Sequence, residues 1–326
     1  MLNDLSFVTT SLNRTNNLIL QCEWLKKSGF FGNYVIVDAS SECNEELFSA
    51  YDFVKYFRLP RVDAVEGAVF GFHKVITSFS TFIGDDDIPM LSGYQKCVKF
   101  LQENSHFDSC RAAASYINHE KLMDKEHKSG FKGLKFFLRT ILSAQYGGAV
   151  DISFKEKHRR FQEITSNYVV TQLFVTRSDV NKVIFGRGLA KIGDVHSFEY
   201  VTCLAHAFFM RSAQIKGLYL LRGYGNYRPN ADMNEKRHAF DHGAAIEAVI
   251  MKYCKTISPI EHDFYALYRA TIIKRFLTEN DRFFANNKKL STVDWLLSQC
   301  YRIRFVMFEQ TVERLVFIGW AKKQRF

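Results

Sequence analysis

The chain has 326 residues, 47% of them hydrophobic and 24% charged, enough to bury a large core in one large domain or two smaller ones. Four prolines exclude long Pro-rich linkers. The seven cysteines form no CxxC pair and point to reduced thiols in a cytosolic protein rather than a disulfide framework. The net charge of +10 is uneven: residues 251–326 hold 14 Lys and Arg against 7 Asp and Glu, a surplus of 7. Such a surface suits nucleic acid, an anionic membrane face or anionic substrates, or is a plain solvated helical surface. The opening "MLNDLSFVTTSLNR" lacks the basic and apolar regions of a signal peptide, and no apolar run approaches the length of a membrane span.

In chain order, "LSFVTT" reads as a strand over Leu5–Thr10, followed by a polar loop. In "NNLILQCEWLKKSG", Leu18, Cys22 and Leu25 fall at i, i+4 and i+7, which predicts a helix that Gly29 stops. "NYVIVDASS" is a second strand with Asp38 at its carboxyl edge, and "DFVKYFRLP" a third. "GAVFGFHKVITSF" predicts a helix, "TFIGDDD" a fourth strand, and "IPMLSGYQKCVKFLQEN" a further helix. This alternation implies a parallel, doubly wound α/β sheet, in which ligands gather outside the carboxyl ends of the strands. Downstream, "HFDSCRAAASYI" and "NYVVTQLFVTR" read as strands, and "MDKEHKSGFKGLKFFLRT" as an exposed basic loop. A helix is expected from about Ser197 to a stop at Gly217, then a strand in "LYLLRGYGNYRP", then an almost wholly helical region beyond residue 240.

The feature that calls for explanation is Asp85, Asp86 and Asp87, three like charges in a row at the end of the fourth strand. Carboxylates so placed are hard oxygen ligands suited to Mg²⁺ or Mn²⁺, which would hold the phosphates of a nucleotide. The plainer alternative is a solvated turn or a helix N-cap. Asp38 is placed to accept hydrogen bonds from a base or ribose, or to make a turn; Arg14 is placed to pair with a phosphate or stack on a base, or lies on the surface.

Taken together, "SFVTTSLNR", "YVIVDASS", "TFIGDDDIPM" and the following Cys97-Val-Lys-Phe100-Leu101 resemble the nucleotide-sugar half of a GT-A glycosyltransferase, family 2-like and inverting, of the bacterial surface-polysaccharide type. The resemblance covers about the first 110 residues well. It implies a Rossmann-like, mostly parallel sheet flanked by helices, with a helical C-terminal region. It divides the chain into a catalytic domain over 1–240 (donor half about 1–110, acceptor half about 111–240) and helices over 241–326. Arg14, Asp38, Asp85 and Asp86 would contact the nucleotide-sugar donor, with a DXD-type Mn²⁺ or Mg²⁺ site at Asp85 and, principally, Asp87. A carboxylate base on the acceptor side would be Asp194 or Glu199 in "GDVHSFEY"; otherwise Asp194 caps the helix and Glu199 complements its dipole.

In "LLRGYGNYRP", Arg222 and Arg228 are candidates for the diphosphate, with Gly223 and Gly225 as hinges of a closing loop. His238 and His242 sit at i and i+4, as two surface histidines or, in the case of His242, as a further metal ligand. The basic, aromatic C-terminal segment suits an anionic membrane, the catalytic domain or a homodimer interface. The implied reaction moves a hexosyl or pentosyl group from a nucleoside diphosphate sugar to a glycan or lipid-linked acceptor, in a cytoplasmic enzyme peripheral to the membrane. A nucleic-acid- or membrane-binding module is the competing class, and it calls for a basic cleft where this chain puts Asp38 and the acidic run. A nucleotidyltransferase is a third, and "TTSLNRTNN" lacks its Gly-rich phosphate loop.

Overall fold

A computed structural model describes residues 2–118, 152–166, 170–186 and 195–224, and the positions Glu313, Val316, Phe317 and Trp320. The predicted helical region beyond 240, the basic loop after Leu122 and the domain boundary near 240 therefore lie outside the described residues, apart from those four helical positions.

The first half follows the predicted alternation. Strand β1 (Leu5–Ser11) leads into helix α1 (Thr15–Lys27), β2 (Asn33–Asp38), the short α2 (Glu45–Phe48), β3 (Val54–Arg58), α3 (Ala64–His73) and β4 (Phe79–Phe82). Helix α1 ends at Gly29, whose φ of 71° is the left-handed value that glycine takes without a Cβ penalty. The Gly29 amide donates to Lys26 O and the Phe30 amide to Leu25 O, the paired bonds of a Schellman stop.

Among the described residues one eight-stranded sheet runs in the order β3-β2-β1-β4-β7-β6-β8-β5. The strands not yet introduced are β5 (Ile88–Pro89), β6 (Ser109–Asn118), β7 (Val175–Arg177) and β8 (Ser212–Tyr224). β1 pairs in parallel with β2 and β4, β2 with β3, and β6 with β8; β7 and β5 run against their neighbours. The sheet is therefore mostly parallel. The remaining helices are α4 (Leu91–Glu103), α5 (Lys157–Ser166), α6 (Ser178–Ile184) and α7 (Val195–Phe209).

Side-chain alternation assigns each face its own core. Phe7, Tyr34 and Ile36 pack with Leu18, Cys22 and Leu25 of α1 and with Tyr94, Cys97 and Leu101 of α4. Val8, Val35 and Val37 point the other way, into Phe72 of α3, Phe185 and the apolar face of α7. All of these are buried.

Three expectations are corrected. Ile88–Pro89 opens no helix; it pairs antiparallel with Leu220–Leu221, and α4 begins only at Leu91. The alternating "VVTQLFVTR" is a 3-10 turn over Thr171–Leu173 followed by a three-residue strand. Buried polar contacts fix that turn: Thr81 Oγ1 donates to Leu173 O at 2.9 Å, and the Thr171 hydroxyl meets His206 Nδ1. Helix α7 ends at Phe209, well short of Gly217, which lies inside β8. Asp108 captures the break, its carboxylate taking the Arg211 amide at 2.9 Å and its own amide donating to Arg211 O at 2.9 Å, so β8 starts in register beside β6. Non-local pairing overrides local helical preference there.

Candidate active site

The carboxyl ends of β1, β2 and β4 meet, as the alternation requires. Ser11 ends β1 and Arg14 follows it; Asp38 ends β2; the turn Gly84–Asp87 follows β4. Asn13, between them, holds a left-handed φ of 57°, and its amide donates to Ser40 Oγ at 2.8 Å, tying the ends of β1 and β2 together.

Asp38 is buried inside a set of hydrogen-bond donors. Its carboxylate accepts the Ser40 amide (2.9 Å), the Ser40 hydroxyl, the Asn44 side chain (3.2 Å) and the Tyr56 hydroxyl (2.6 Å). Burial alone would raise its pKa. The bonds from Ser40, Tyr56 and Asn44 outweigh that and hold it below the ordinary value, so Asp38 is an ionised acceptor.

The three aspartates point to different surroundings. Asp85 accepts Ser11 Oγ at 3.0 Å and Arg14 Nη1 at 2.8 Å. Asp86 lies 3.8 Å from the same guanidinium. Asp87 is fully buried and faces inward: Oδ2 accepts the Gly84 amide at 2.9 Å, Oδ1 accepts the Gly223 amide at 3.3 Å, and Arg222 Nε stands 3.0 Å from Oδ1. Burial pushes all three carboxyls up, while Arg14 pulls Asp85 back and Arg222 pulls Asp87 back. Two guanidiniums thus face three crowded carboxylates, which answers the like-charge problem of the bare sequence.

The turn is also held from behind, by residues the sequence did not flag. Gln21 of α1 is fully buried, and its Nε2 donates to Gly84 O at 2.7 Å and to Asp87 O at 2.5 Å. The Tyr34 hydroxyl donates to Gln21 Oε1. One turn further along α1, Trp24 Nε1 donates to Pro89 O at 2.8 Å. Ser11, Gln21, Ser40, Asn44 and Tyr56 carry no local motif. A glutamine among apolar neighbours in "LILQCEW" was the one available hint, since a buried amide must find partners.

The other predicted residues divide. Arg222 is on β8 and engages Asp87. Gly223, expected as a hinge, is a strand residue paired with Ile117, and a Cβ there would sit 2.3 Å from Asp86 O. Glu199 is half-buried in α7. Asp194, Arg228, His238, His242 and Gly225 lie outside the described residues.

The residues present can be weighed against a divalent ion. Asp85 and Asp86 are hard oxygen donors at the strand ends, of the type Mg²⁺ or Mn²⁺ takes. Asp87 is the most enclosed of the three, its oxygens already facing the Gly84 and Gly223 amides and Arg222. Among the described residues, no three His, Cys, Asp or Glu side chains converge as a metal cluster. Nor is any helix among them long and apolar enough to cross a membrane.

No protein-family model matches the chain, and none of the curated proteins matches it. Solved structures do. Staphylococcus aureus TarS, residues 1–349, superposes with a TM-score of 0.53 at 12% identity, covering 98% of this chain and 89% of that one. The same fragment in complex with UDP gives 0.50 at 12% identity. A longer TarS structure gives 0.51 at 11% identity, with 53% of its length covered. At such identity the likeness is one of fold. The described residues have the architecture the resemblance implied, a GT-A-like α/β fold with a mostly parallel sheet flanked by helices.

Proposed function

We propose that the protein is a glycosyltransferase using a nucleoside diphosphate sugar. The observation that carries this reading is the convergence of ionised Asp38, Arg14 and the Asp85–Asp86 pair at the carboxyl ends of three neighbouring parallel strands. Its support from outside is the likeness of fold to TarS, which has been crystallised with UDP. A uridine nucleotide is accordingly the first donor to test.

In this reading Asp38 accepts a hydrogen bond from the base or ribose, and Arg14 orients Asp85 and Asp86 toward the diphosphate. Mn²⁺ or Mg²⁺, held by Asp85 and Asp87 with His242 as a further candidate and Asp86 beside them as a donor contact, would offset the charge of the departing diphosphate. Arg222 and Arg228 are candidate diphosphate contacts. Asp194 or Glu199 takes the proton of an acceptor hydroxyl as its oxygen attacks the anomeric carbon. The bond from that carbon to the phosphate oxygen breaks, and its electron pair leaves with the nucleotide. Direct displacement inverts the anomeric centre. A glycan or lipid-linked acceptor, a role in surface polysaccharide synthesis, a peripheral site at the inner membrane face and a homodimer complete the reading.

Isothermal titration of the full chain with UDP, GDP, CDP and dTDP, with and without Mn²⁺, tests it. The expected result is binding of one nucleotide, strengthened by the ion and lost in Asp38→Ala. Absence of binding by every nucleotide in both conditions overturns the proposal.

A further inference from the structure

Helix α1 touches the aspartate turn at more than one level. Arg14, at its N-cap, engages the carboxylates of Asp85 and Asp86. Gln21 engages the main-chain carbonyls of Gly84 and Asp87, the two ends of the same turn. Trp24 engages the carbonyl of Pro89, just beyond it. The side chains of Gln21 and Trp24 lie on one face, three residues apart on a single rigid element.

Chemistry fixes the role of Gln21 closely. Gly84 O and Asp87 O are both acceptors, so the group between them must offer two N–H protons, and both protons of the Gln21 amide are then used up. The remaining Oε1 needs a donor, which is the Tyr34 hydroxyl. Glutamate at 21 would place acceptors against acceptors, and methionine would fill the space but donate nothing. The Gly84 carbonyl also takes the Asp87 amide at 3.1 Å, so the turn's own closing bond and the Gln21 bond share one oxygen. Tilting the amide therefore tilts the plane that carries Asp85 and Asp86.

We infer that Gln21 is a positioning residue of the nucleotide site: its two amide protons set the Gly84–Asp87 turn and, through it, the aim of Asp85 and Asp86. The part concerning ligand rests on the function proposed above; the part concerning the turn does not.

The test uses the full chain with Gln21→Met and Gln21→Glu, and Phe72→Leu in the opposite core as a control for lost stability. Two quantities are read: amide hydrogen exchange in peptides spanning residues 83–90, and the Kd for UDP with Mn²⁺. Both Gln21 variants are expected to exchange about tenfold faster in that segment and to bind UDP about tenfold more weakly, since small misplacements of binding groups are costly. The control should move neither. Unchanged exchange and Kd in Gln21→Met overturn the inference. If wild type binds none of the four nucleoside diphosphates, the functional proposal falls and exchange alone decides the inference: faster exchange upholds it, unchanged exchange refutes it; if it binds another of the four, that nucleotide replaces UDP in the Kd measurement. Should the Gln21 variants fail to fold, Tyr34→Phe decides, because it strips Oε1 of its donor while keeping the ring. Faster exchange of the turn in that variant upholds the role, and wild-type exchange refutes it.

Discussion

The Glu313 carboxylate accepts the Leu91 amide at 2.6 Å across 222 residues of chain, and with its second oxygen the Ser92 amide at 3.2 Å. Helix α4 has Met90 at its N-cap and no side-chain cap of its own, so a distant carboxylate satisfies the amides left over at that end. From the same helical face Phe317 and Trp320 pack on Trp24, with ring centroids 4.9 and 5.6 Å away. Trp24 in turn holds Pro89. The C-terminal segment therefore buttresses the element that follows the aspartate turn.

Glu313→Gln can accept only one of the two amides and should cost about 1–2 kcal/mol. Phe317→Ala should cost about 3 kcal/mol by leaving a cavity beside Trp24. Chemical denaturation measures both. Tryptophan emission reports the site directly, because two of the chain's three tryptophans form it; an emission spectrum unchanged in Phe317→Ala would show that the segment does not dock there.

Asp87→Ala is expected to abolish nucleotide–metal binding, and nothing in the local sequence points to a cost in stability. The surroundings of Asp87 do. Removing it strands the Gly84 and Gly223 amides and takes one ion-pair partner from Arg222, a loss of about 3 kcal/mol. The urea midpoint should fall accordingly. A midpoint equal to wild type would mean that the inward hydrogen bonds contribute nothing.

Gly223→Ala tests the close approach of β8 to the turn. The added methyl would lie 2.3 Å from Asp86 O and 2.8 Å from Asp86 Cβ, and the nearer atom is backbone, so the turn must shift. We expect a loss of about 1–3 kcal/mol and weakened nucleotide binding. Wild-type values for both Tm and Kd would exclude the contact.

Asp38 sets a pH dependence. Its folded pKa lies below the ordinary 3.8, so its contribution is present above that pH and is lost as pH falls through the folded value. Asp38→Asn should therefore be less stable than wild type by about 1–2 kcal/mol at pH 7. The gap should close as pH drops below 3.8. Burial of Asp85, Asp86 and Glu313 acts in the opposite sense on the absolute curve, so the comparison of the two proteins at each pH is the informative quantity. A gap independent of pH would show that Asp38 titrates alike in the folded and unfolded chains.

What was legible in the sequence is what depends on neighbours in the chain. Strand-like runs over Leu5–Thr10, in "NYVIVD" and in "TFIGDDD", and the helix of Leu18, Cys22 and Leu25 stopped by Gly29, alternate along the chain, and that alternation placed Arg14, Asp38 and Asp85 at one edge of the sheet. Connections of that kind obey local periodicity and the fixed hand of parallel crossovers, so a single strand–helix–strand order suffices to bring the three together. Which way each aspartate points depends on groups far along the chain. Asp87 turns inward because β8, more than a hundred residues later, brings Arg222 and the Gly223 amide to it. Gln21 becomes a brace because β4 delivers two carbonyls to its amide, and Glu313 becomes a cap because its segment returns to α4. Buried polar groups take whatever partners the packed chain presents, and no local pattern encodes those partners.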